Sequence, residues 1–411
     1  MEFSRKKNFI VVLLVMLPFV FGFSFVFIKS HQDLVSKVSS KDFVYSSASV
    51  ANSAESINQT DLPVPLPNPP SVIKAVYVTG WSAGNKSYLT YLTQLFKTTQ
   101  INAAVIDIKD YSGIVSYESG ATKVREYHTY RAEIPDINAL VKNLHDQGIY
   151  VIGRVAVFED PALAQIRKDL AIYDTLNTED KLNPALWQDN NNLSWLDPAS
   201  KEVWDYNISI ARDALMHGFD EINFDYVRFP SDGKINNMGF PIWNSTVQKH
   251  LIIKDFFQKL RESFPENKIS VDIFGQTTTN TDDMGIGQIL EDSFEYFDYI
   301  CPMVYPSHYV SGFIGYNNPS QYPYEVIKYS IDSAVKRRLA YDKLVNADNG
   351  DNPKKLAKIR PWLQDFNMGA DYTADMVKKE VNALEDSIKK DFAGYLLWNP
   401  SNFYTENAII K

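Results

Sequence analysis

Three carboxylates stand alone inside apolar, β-branched stretches of the sequence. Asp107 lies in AAVIDIK, Asp225 in EINFDYV and Asp272 in ISVDIF. A charge buried in such a stretch is costly unless it is paired or has a chemical role. Side chains alternate along a strand, so Asn223 is predicted to share the face of Asp225. The pattern leaves open whether Asp225 is a structural partner of Arg228, part of a site, or both.

Other polar and aromatic residues follow later apolar stretches. Asp107 and Lys109 are two positions apart, so they are predicted to share a strand face and to form either an ion pair or part of a pocket. Tyr305 and His308 in CPMVYPSHY could hydrogen-bond a ligand. Trp398, at the end of GYLLW, either fills the core or provides a flat face for a sugar ring. The stretch RPWLQDF adds Asp365, with Arg360 and Gln364 as further candidates.

Carboxylates that converge on an apolar-walled cleft suit the hydrolysis of a glycosidic bond. One carboxylic acid protonates the leaving oxygen, and a second carboxylate acts as nucleophile, base or charge stabiliser. Burial and mutual repulsion raise the pKa of one member, which keeps it protonated at neutral pH. The chain has no phosphate-binding glycine loop and no GxSxG motif, which disfavours nucleotide chemistry and serine hydrolysis. The predicted catalytic residues are Asp225 and Asp272, and the predicted substrate-binding residues are Asp107, Asn223, Arg228, Tyr305, His308, Asp365 and Trp398.

A parallel sheet would bring these residues to one edge, and the sequence predicts such a sheet from Lys74 onward. Short β-branched stretches alternate with amphipathic ones, which is typical of repeated βα units. Eight strands favour a (β/α)8 TIM barrel, whose strand carboxyl ends form the catalytic mouth. A doubly wound open sheet is the alternative, but no GxGxxG follows the first strand. The predicted strands are Ala75–Thr79, Ala103–Ile108, Tyr150–Val157, Glu221–Asp225, Ile269–Phe274, Tyr299–Val304, Ile359–Leu363 and Gly394–Trp398. The predicted helices are Lys86–Thr99, Ile137–Gln147, Lys201–His217, Val247–Phe264, Tyr324–Leu339 and Ala374–Lys389, and residues 174–197 are predicted to form a long loop at the mouth.

The first 71 residues have a different character. Basic residues at positions 5–7 precede an apolar run over residues 9–28. That run is long enough for a helix that crosses a hydrocarbon core of about 30 Å, and the basic flank indicates a cytoplasmic N-terminus. A cleaved signal peptide is the alternative, but no small-residue cleavage site follows. We therefore predict three parts: an N-terminal membrane anchor or uncleaved signal at 1–29, a disordered Ser/Asn/Pro-rich stalk at 30–71, and the barrel domain at 72–411.

The overall charge and the cysteine content exclude several partners. A formal net charge of −9 disfavours nucleic acid. A single cysteine rules out an internal disulfide and a cysteine-based metal site, and no HExxH motif is present. We expect no metal and no cofactor. The expected partners are a polysaccharide or oligosaccharide substrate and, through the N-terminal helix, the cell membrane, with the barrel on the extracytoplasmic side.

Four segments together resemble a bacterial family of glycoside hydrolase domains that is described largely by sequence. The segments are FDEINFDYVRFP, CPMVYPSHY, RPWLQDF and GYLLWNPSN. The resemblance covers roughly residues 72–405, almost the whole predicted barrel. It implies a TIM-barrel fold and activity on glycosidic bonds.

A more distant similarity is to the family 18 chitinases. Those enzymes carry DGxDxDxE on the fourth strand, Met-x-Tyr on the sixth and a Trp at the end of the eighth. Asp220, Asn223 and Asp225 fall on the three aspartate positions of the first motif. The residues at 303–305 and Trp398 match the other two.

The catalytic glutamate position of the chitinase motif is occupied by Val227. The similarity therefore implies an acid from elsewhere, with Asp272 the first candidate and Glu159 the second. Three functions follow as hypotheses: a glycosidase, a catalytically inactive barrel that binds carbohydrate at the cell surface, and a structural protein of the envelope. A second carboxylate near Asp225 favours the first, its absence favours the second, and a flat barrel mouth favours the third.

Overall fold

The computed structural model describes residues 62–180, 182–347 and 353–411. Within them, parallel strands follow one another in chain order and close into a barrel, because the eighth strand pairs with the first from Ile73 opposite Gly394 to Val76 opposite Leu397. The predicted (β/α)8 barrel is therefore confirmed. The strands are β1 (Ile73–Val78), β2 (Ala103–Lys109), β3 (Tyr150–Ala156), β4 (Glu221–Asp225), β5 (Lys268–Phe274), β6 (Tyr299–Met303), β7 (Lys358–Ile359 and Trp362–Gln364) and β8 (Gly394–Trp398).

The seventh strand is broken into two segments, whereas the sequence predicts one unbroken strand. Lys358–Ile359 pairs with β6, and Trp362–Gln364 pairs with β8. Arg360 and Pro361 lie between the two segments, and proline has no N–H group to donate to a ladder. Pro361 instead accepts a hydrogen bond from the backbone of Leu396 on β8 at 2.9 Å. After the break, Trp362 still pairs with Met303 on β6 while the same segment pairs with β8, so β7 joins these two strands of the barrel.

Helices surround the strands and bury their apolar faces against them. Side chains of Asn85, Asp136 and Ser200 cap three of the helices by accepting hydrogen bonds from the first turn. The longer helices are α1 (Lys86–Thr98), α2 (Ile137–Asp146), α3 (Lys201–Met216), α4 (Lys249–Ser263), α5 (Pro323–Val345) and α6 (Ala374–Ile388), and the short ones are Gly80–Ala83, Thr122–Tyr127, Pro161–Ile166 and Leu290–Ser293. The helix α5 runs beyond its predicted end at Leu339, because Tyr341 packs on Phe294 with ring centroids 5.5 Å apart.

Strand β2 contains a bulge that changes the direction of one candidate side chain. The pairing of β2 with β3 shifts register between Asp107 and Lys109. Such a bulge breaks the strict alternation of side chains. Lys109 therefore turns away from Asp107 and forms a buried ion pair with Asp160 at 2.8 Å, while also donating to Asn207 on α3 at 3.1 Å. Of the two alternatives that the sequence leaves open, the ion pair between Asp107 and Lys109 is therefore not formed.

The long segment after β3 forms one side of the mouth, as predicted. It contains little regular structure apart from a short antiparallel pairing of Tyr173–Asp174 with Met238–Gly239. Two indole rings nevertheless anchor it, since Trp187 and Trp195 are almost completely buried. The indole nitrogen of Trp195 donates to Asp189 at 3.0 Å. The segment is thus a packed wall that carries acidic groups near the end of β3.

The predicted anchor at 1–29 and most of the predicted stalk lie outside the described residues. From residue 62 the chain runs without regular structure along the amino-terminal end of the barrel, where the backbone of Leu66 donates to Asp220 Oδ1 at 2.6 Å. The other oxygen of Asp220 accepts from the backbone of Val151 at 2.7 Å and contacts His145 at 2.9 Å. In the portion of the chain that the structure describes, no helix combines the length and the apolar character that a membrane crossing requires.

Candidate active site

An arginine on β3 lies at the centre of the carboxylates that the sequence singles out. Arg154 Nη1 donates to Asp107 Oδ1 at 2.6 Å, and Nη2 forms an ion pair with Asp225 Oδ2. Its Nε lies 3.7 Å from Asp272 Oδ2. Strands β2, β3, β4 and β5 are consecutive neighbours in the barrel, so these side chains meet toward its carboxyl-terminal end. Arg154 therefore joins acidic groups from three different strands.

Asp225 is held by an unusual turn at the end of β4. The next residue, Tyr226, has a φ of +54°, a conformation that a non-glycine residue adopts only where the surroundings enforce it. Its backbone N–H donates to Asp225 Oδ1 at 2.5 Å. One carboxylate oxygen is thus fixed by the turn and the other by Arg154. The carboxylate of Asp225 is therefore preorganised, and only 6% of the residue is exposed.

Asp272 lies beside Asp225 on the neighbouring strand. Its Oδ1 accepts hydrogen bonds from Asn223 Nδ2 at 2.8 Å and from the indole of Trp362 at 2.7 Å. Its Oδ2 is buried and accepts no hydrogen bond from any described residue. Burial, followed by the negative charge of Asp225, raises the pKa of Asp272 well above its usual value despite the opposing effect of Arg154. Burial and the charge of Asp225 therefore favour the protonated form of Asp272.

Asp107 completes the group of carboxylates around Arg154. Its Oδ2 accepts a hydrogen bond from the hydroxyl of Tyr77 on β1. Burial raises the pKa of Asp107 to about 6, against the lowering effect of Arg154. The ring of Tyr77 in turn meets the edge of Trp362, with centroids 6.3 Å apart. Two aromatic side chains therefore enclose the carboxylates from β1 and β7.

Aromatic side chains from the ends of β6, β7 and β8 form a continuous wall beside the carboxylates. We call Tyr305, His308, Phe366 and Trp398 the aromatic wall. The ring of Tyr305 lies 5.3 Å from that of Trp398 and 5.2 Å from that of His308, while Phe366 lies 4.9 Å from Trp398. Tyr305 is close enough to Asp272 and Asp225 that burial and these negative charges raise its pKa well above its usual value. The predicted residues Tyr305, His308 and Trp398 are therefore brought together.

A second carboxyl group with a raised pKa lies just beyond the end of β3. Glu159 is only 4% exposed, and its carboxyl group makes no hydrogen bond within the described ranges. Burial raises its pKa well above the usual value, and the charges of Asp189 and Asp225 act in the same direction. The guanidinium of Arg228 opposes these effects without cancelling them. Glu159 is thus a second candidate for the acid.

Arg228 does not pair with Asp225, which was the structural alternative considered for the sequence. Its guanidinium lies 4.7 Å above the ring of Trp195 and 4.7 Å above that of Phe274. Nη1 donates to the backbone of Phe229 and to Ser231, each at 3.2 Å. Arg154 is the partner of Asp225 instead, because it lies on the adjacent strand, whereas Arg228 lies beyond the end of the strand that carries Asp225.

Asp365 and Arg360 face away from the group of carboxylates around Arg154. Asp365 accepts hydrogen bonds from the backbone and hydroxyl of Thr405, at 2.8 and 2.6 Å, and burial raises its pKa to about 6. Arg360 pairs with Glu221 deeper in the barrel, where both side chains are fully buried. Asp365 points outward because it lies three positions after Trp362, whose indole points to Asp272. Arg360 lies two positions before Trp362, on the same side of β7, but one layer deeper in the barrel than the carboxylates.

The positions that resemble the chitinase motif divide between the two ends of the barrel. Asn223 and Asp225 point into it, as the alternation predicts, whereas Asp220 lies at the opposite end with Leu66. Val227 is fully buried and offers no carboxyl group. Among the described residues, no group of three or more His, Cys, Asp or Glu side chains is arranged to hold a metal ion. The groups at this end of the barrel are thus carboxyl groups, an arginine and aromatic rings.

Comparison with known proteins gives a family and several structural relatives. The model of a family described as "Putative glycosyl hydrolase domain" matches residues 75–404. A hypothetical protein from Ruminiclostridium thermocellum is 38% identical over 51% of this chain and 98% of its own, with a TM-score of 0.43. An α-galactosidase from Thermus thermophilus is 13% identical over 84% of this chain and 61% of its own, with a TM-score of 0.47. The glycoside hydrolase domain of PelA from Pseudomonas aeruginosa is 10% identical over 82% of this chain and 97% of its own, with a TM-score of 0.42. None of the curated proteins matches the chain.

Proposed function

The chain belongs to the glycosyl hydrolase domain family whose model it matches, and we propose that it hydrolyses glycosidic bonds of a polysaccharide outside the cytoplasm. The observation that carries the proposal is the pairing of two unlike carboxyl groups on adjacent strands. Asp225 is ion-paired with Arg154, whereas Asp272 has its pKa raised well above its usual value. Glycoside hydrolysis needs this combination of a charged carboxylate and a protonated carboxylic acid.

Each group of the mouth has a role in this proposal. Asp225 attacks the anomeric carbon or stabilises the positive charge that develops on it in the transition state. Asp272 gives its proton to the leaving oxygen from Oδ2, the oxygen without a hydrogen bond. Tyr305 hydrogen-bonds the reacting sugar, and Trp398 stacks beneath it. Arg154 holds Asp107 and Asp225 in place, so that little reorganisation is needed at the moment of reaction.

The identity of the acid can be tested by comparing Asp272→Asn with Glu159→Gln. We expect Asp272→Asn to lower kcat on an unactivated oligosaccharide by roughly 10²–10⁴-fold, the usual contribution of a general acid. The loss should be much smaller on a dinitrophenyl glycoside of the same sugar, whose leaving group needs no proton. Glu159→Gln should change kcat by less than roughly tenfold on both substrates.

The pH profile gives an independent measure of the same assignment. A general acid works only in its protonated form, so activity should be lost as the pH rises through the raised pKa of Asp272. Asp272→Asn should remove this alkaline limb. The acid is Glu159 if two results are found for Glu159→Gln and not for Asp272→Asn. These are a larger loss on the unactivated oligosaccharide than on the dinitrophenyl glycoside, and the disappearance of the alkaline limb of the pH profile. If neither variant alters the cleavage, the two-carboxyl proposal is wrong.

We propose that the barrel is tethered to the membrane on its extracytoplasmic side. The basic residues at positions 5–7 and the apolar run over residues 9–28 support a helix whose N-terminus faces the cytoplasm. Protease added to intact cells without an outer barrier should cut before residue 62 and release a barrel-sized fragment. Protection of the barrel until the membrane is permeabilised would contradict the orientation and the extracytoplasmic substrate.

A further inference from the structure

Two exposed aromatic side chains stand on the loops that follow β1 and β2, outside the aromatic wall. The ring of Trp81 is 50% exposed and that of Tyr111 is 46% exposed. Apolar rings of this size are usually turned inward unless they contact a partner. The two loops are neighbours at the mouth, because β1 and β2 pair directly from Ala75 opposite Ala103 to Val78 opposite Ile106.

The backbone that carries Trp81 is closely packed although the side chain is exposed. The short helix that carries it packs so closely that a Cβ atom at Gly80 would lie 2.5 Å from the Cβ of Ser116 and 2.6 Å from Oε2 of Glu133. Thr79 caps the helix by accepting from Ser82 at 3.1 Å. A rigid aromatic surface loses little conformational entropy when a ligand binds, which is what a binding platform requires.

We call the exposed ring of Trp81 the platform. Arg131 and Glu133 lie beside it. The guanidinium of Arg131 lies 5.5 Å from the centre of the Trp81 ring, and the same side chain forms an ion pair with Glu133 at 3.3 Å. Within the described ranges, neither the indole N–H of Trp81 nor the hydroxyl of Tyr111 makes a hydrogen bond. Both groups can therefore bond to the hydroxyls of a sugar that stacks on the exposed ring face.

Tyr111 connects the platform to the reacting carboxylates. Partial burial of its hydroxyl, followed by the charges of Asp110, Asp107, Glu159 and Glu133, raises its pKa to about 12. The loop that carries Tyr111 starts at the end of β2, the strand of Asp107, and runs to Val115, whose carbonyl accepts a hydrogen bond from the backbone of Arg131 at 2.8 Å. The loop therefore leads from the catalytic group to the platform. A ligand that occupies both regions would pass over Tyr111.

We propose that Trp81, Tyr111 and Arg131 form a second sugar-binding subsite, so that the substrate is a stretch of a polysaccharide several sugars long rather than a single terminal sugar. This inference rests on the proposed glycosidase function for the position of the reacting bond. It predicts that affinity rises with the length of the oligosaccharide and that Trp81 provides the increase.

The test uses the full chain carrying Asp225→Asn, so that binding is measured without hydrolysis. Binding of cellohexaose, chitohexaose, maltohexaose and xylohexaose is compared with that of the corresponding disaccharides by calorimetry. At least one hexasaccharide should bind its site roughly tenfold or more tightly than its disaccharide, and Trp81→Ala should abolish that difference. Trp81→Phe should retain most of it. Tyr329→Ala is the matched control, because Tyr329 is a 52% exposed aromatic residue on α5 that packs on Phe313 and not on Trp81 or Tyr111.

The outcomes separate the subsite from the catalytic proposal. A hexasaccharide that binds no tighter than its disaccharide, no binding by any of these sugars, or an unchanged length dependence in Trp81→Ala would overturn the subsite. If the hexasaccharide binds no tighter than the disaccharide, or if Trp81→Ala keeps the length dependence, cleavage of an aryl glycoside by the unmodified chain would still support the glycosidase. Length-dependent binding through Trp81, with no cleavage of any bound sugar by the unmodified chain, would support the subsite and remove the hydrolase function.

Discussion

Asp225→Asn is expected to lower kcat/KM on a confirmed glycan substrate by at least about 10³-fold, which corresponds to roughly 4 kcal/mol of transition-state stabilisation. The amide has nearly the shape of the carboxylate, so the hydrogen bond from the backbone of Tyr226 can persist. The amide lacks the negative charge that the carboxylate presents to the reacting carbon and to Arg154. The loss should appear in kcat more than in KM, because the charge matters most in the transition state. Steady-state kinetics of the purified chain measure it.

Asp213→Asn is the matched control for the removal of a buried carboxylate. Asp213 lies on α3, is almost fully buried, and accepts hydrogen bonds from Tyr117 at 2.8 Å and Ser119 at 2.6 Å. Its replacement should lower stability while kcat stays within about threefold of the unmodified chain. Full activity in Asp225→Asn would remove Asp225 from the catalytic role. Equal losses in both variants would indicate a structural effect instead.

The sequence predicts those parts of the fold and site that depend on local patterns. A lone carboxylate in a β-branched stretch places Asp225 and Asp272 inside a strand, and the alternation places Asn223 on the same face as Asp225. These local rules predict that the three side chains lie in one barrel, since parallel strands end at one edge. They do not predict which groups pair, because pairing depends on the neighbouring strand.

Arg154 shows what sequence reasoning missed and what could have found it. It is a charged residue in the apolar stretch YVIGRVAV, which is the same signal that singles out Asp272. Its partners come from strands 47 and 71 positions away in the sequence. Trp362 was missed for a related reason, because an indole in a strand has no visible partner until β5 and β7 meet across the barrel.

Departures from ideal strand geometry account for two other differences between the predictions and the structure. The bulge in β2 separates Lys109 from Asp107, although their spacing predicts a shared face. The sequence does not show which side chains of β7 point into the barrel, because Gln364 and Asp365 are both polar and occupy successive positions. In the folded chain, the break at Pro361 and the contact of Trp362 with Asp272 determine which side chains point inward. The bulge has no local sequence signal, whereas Pro361 is a local signal for the break, because proline has no N–H group to donate within a strand.

The largest effect on stability is expected from Glu221→Gln, deep in the barrel. Glu221 and Arg360 are both fully buried, with Arg360 Nη1 donating to Glu221 Oε2 at 3.1 Å. Ser270 also donates to Glu221, at 2.5 Å, so the carboxylate is the common acceptor of this group. Removal of its charge leaves the guanidinium of Arg360 buried without a counter-ion. Breaking such a pair from one side typically costs about 3–5 kcal/mol.

Urea denaturation followed by circular dichroism should show this loss in the free energy of unfolding of Glu221→Gln. Asp146→Asn is the control, because its partner Lys142 and Asp146 are both more than 60% exposed, and such surface pairs contribute less than about 1 kcal/mol. The double variant Glu221→Leu, Arg360→Met should recover much of the stability, since no charge is then left unpaired in the core. A loss below about 1 kcal/mol in Glu221→Gln would mean that Arg360 finds another partner inside the barrel, for which Cys301 at 3.9 Å and the ring of Tyr299 at 4.0 Å are the nearest groups.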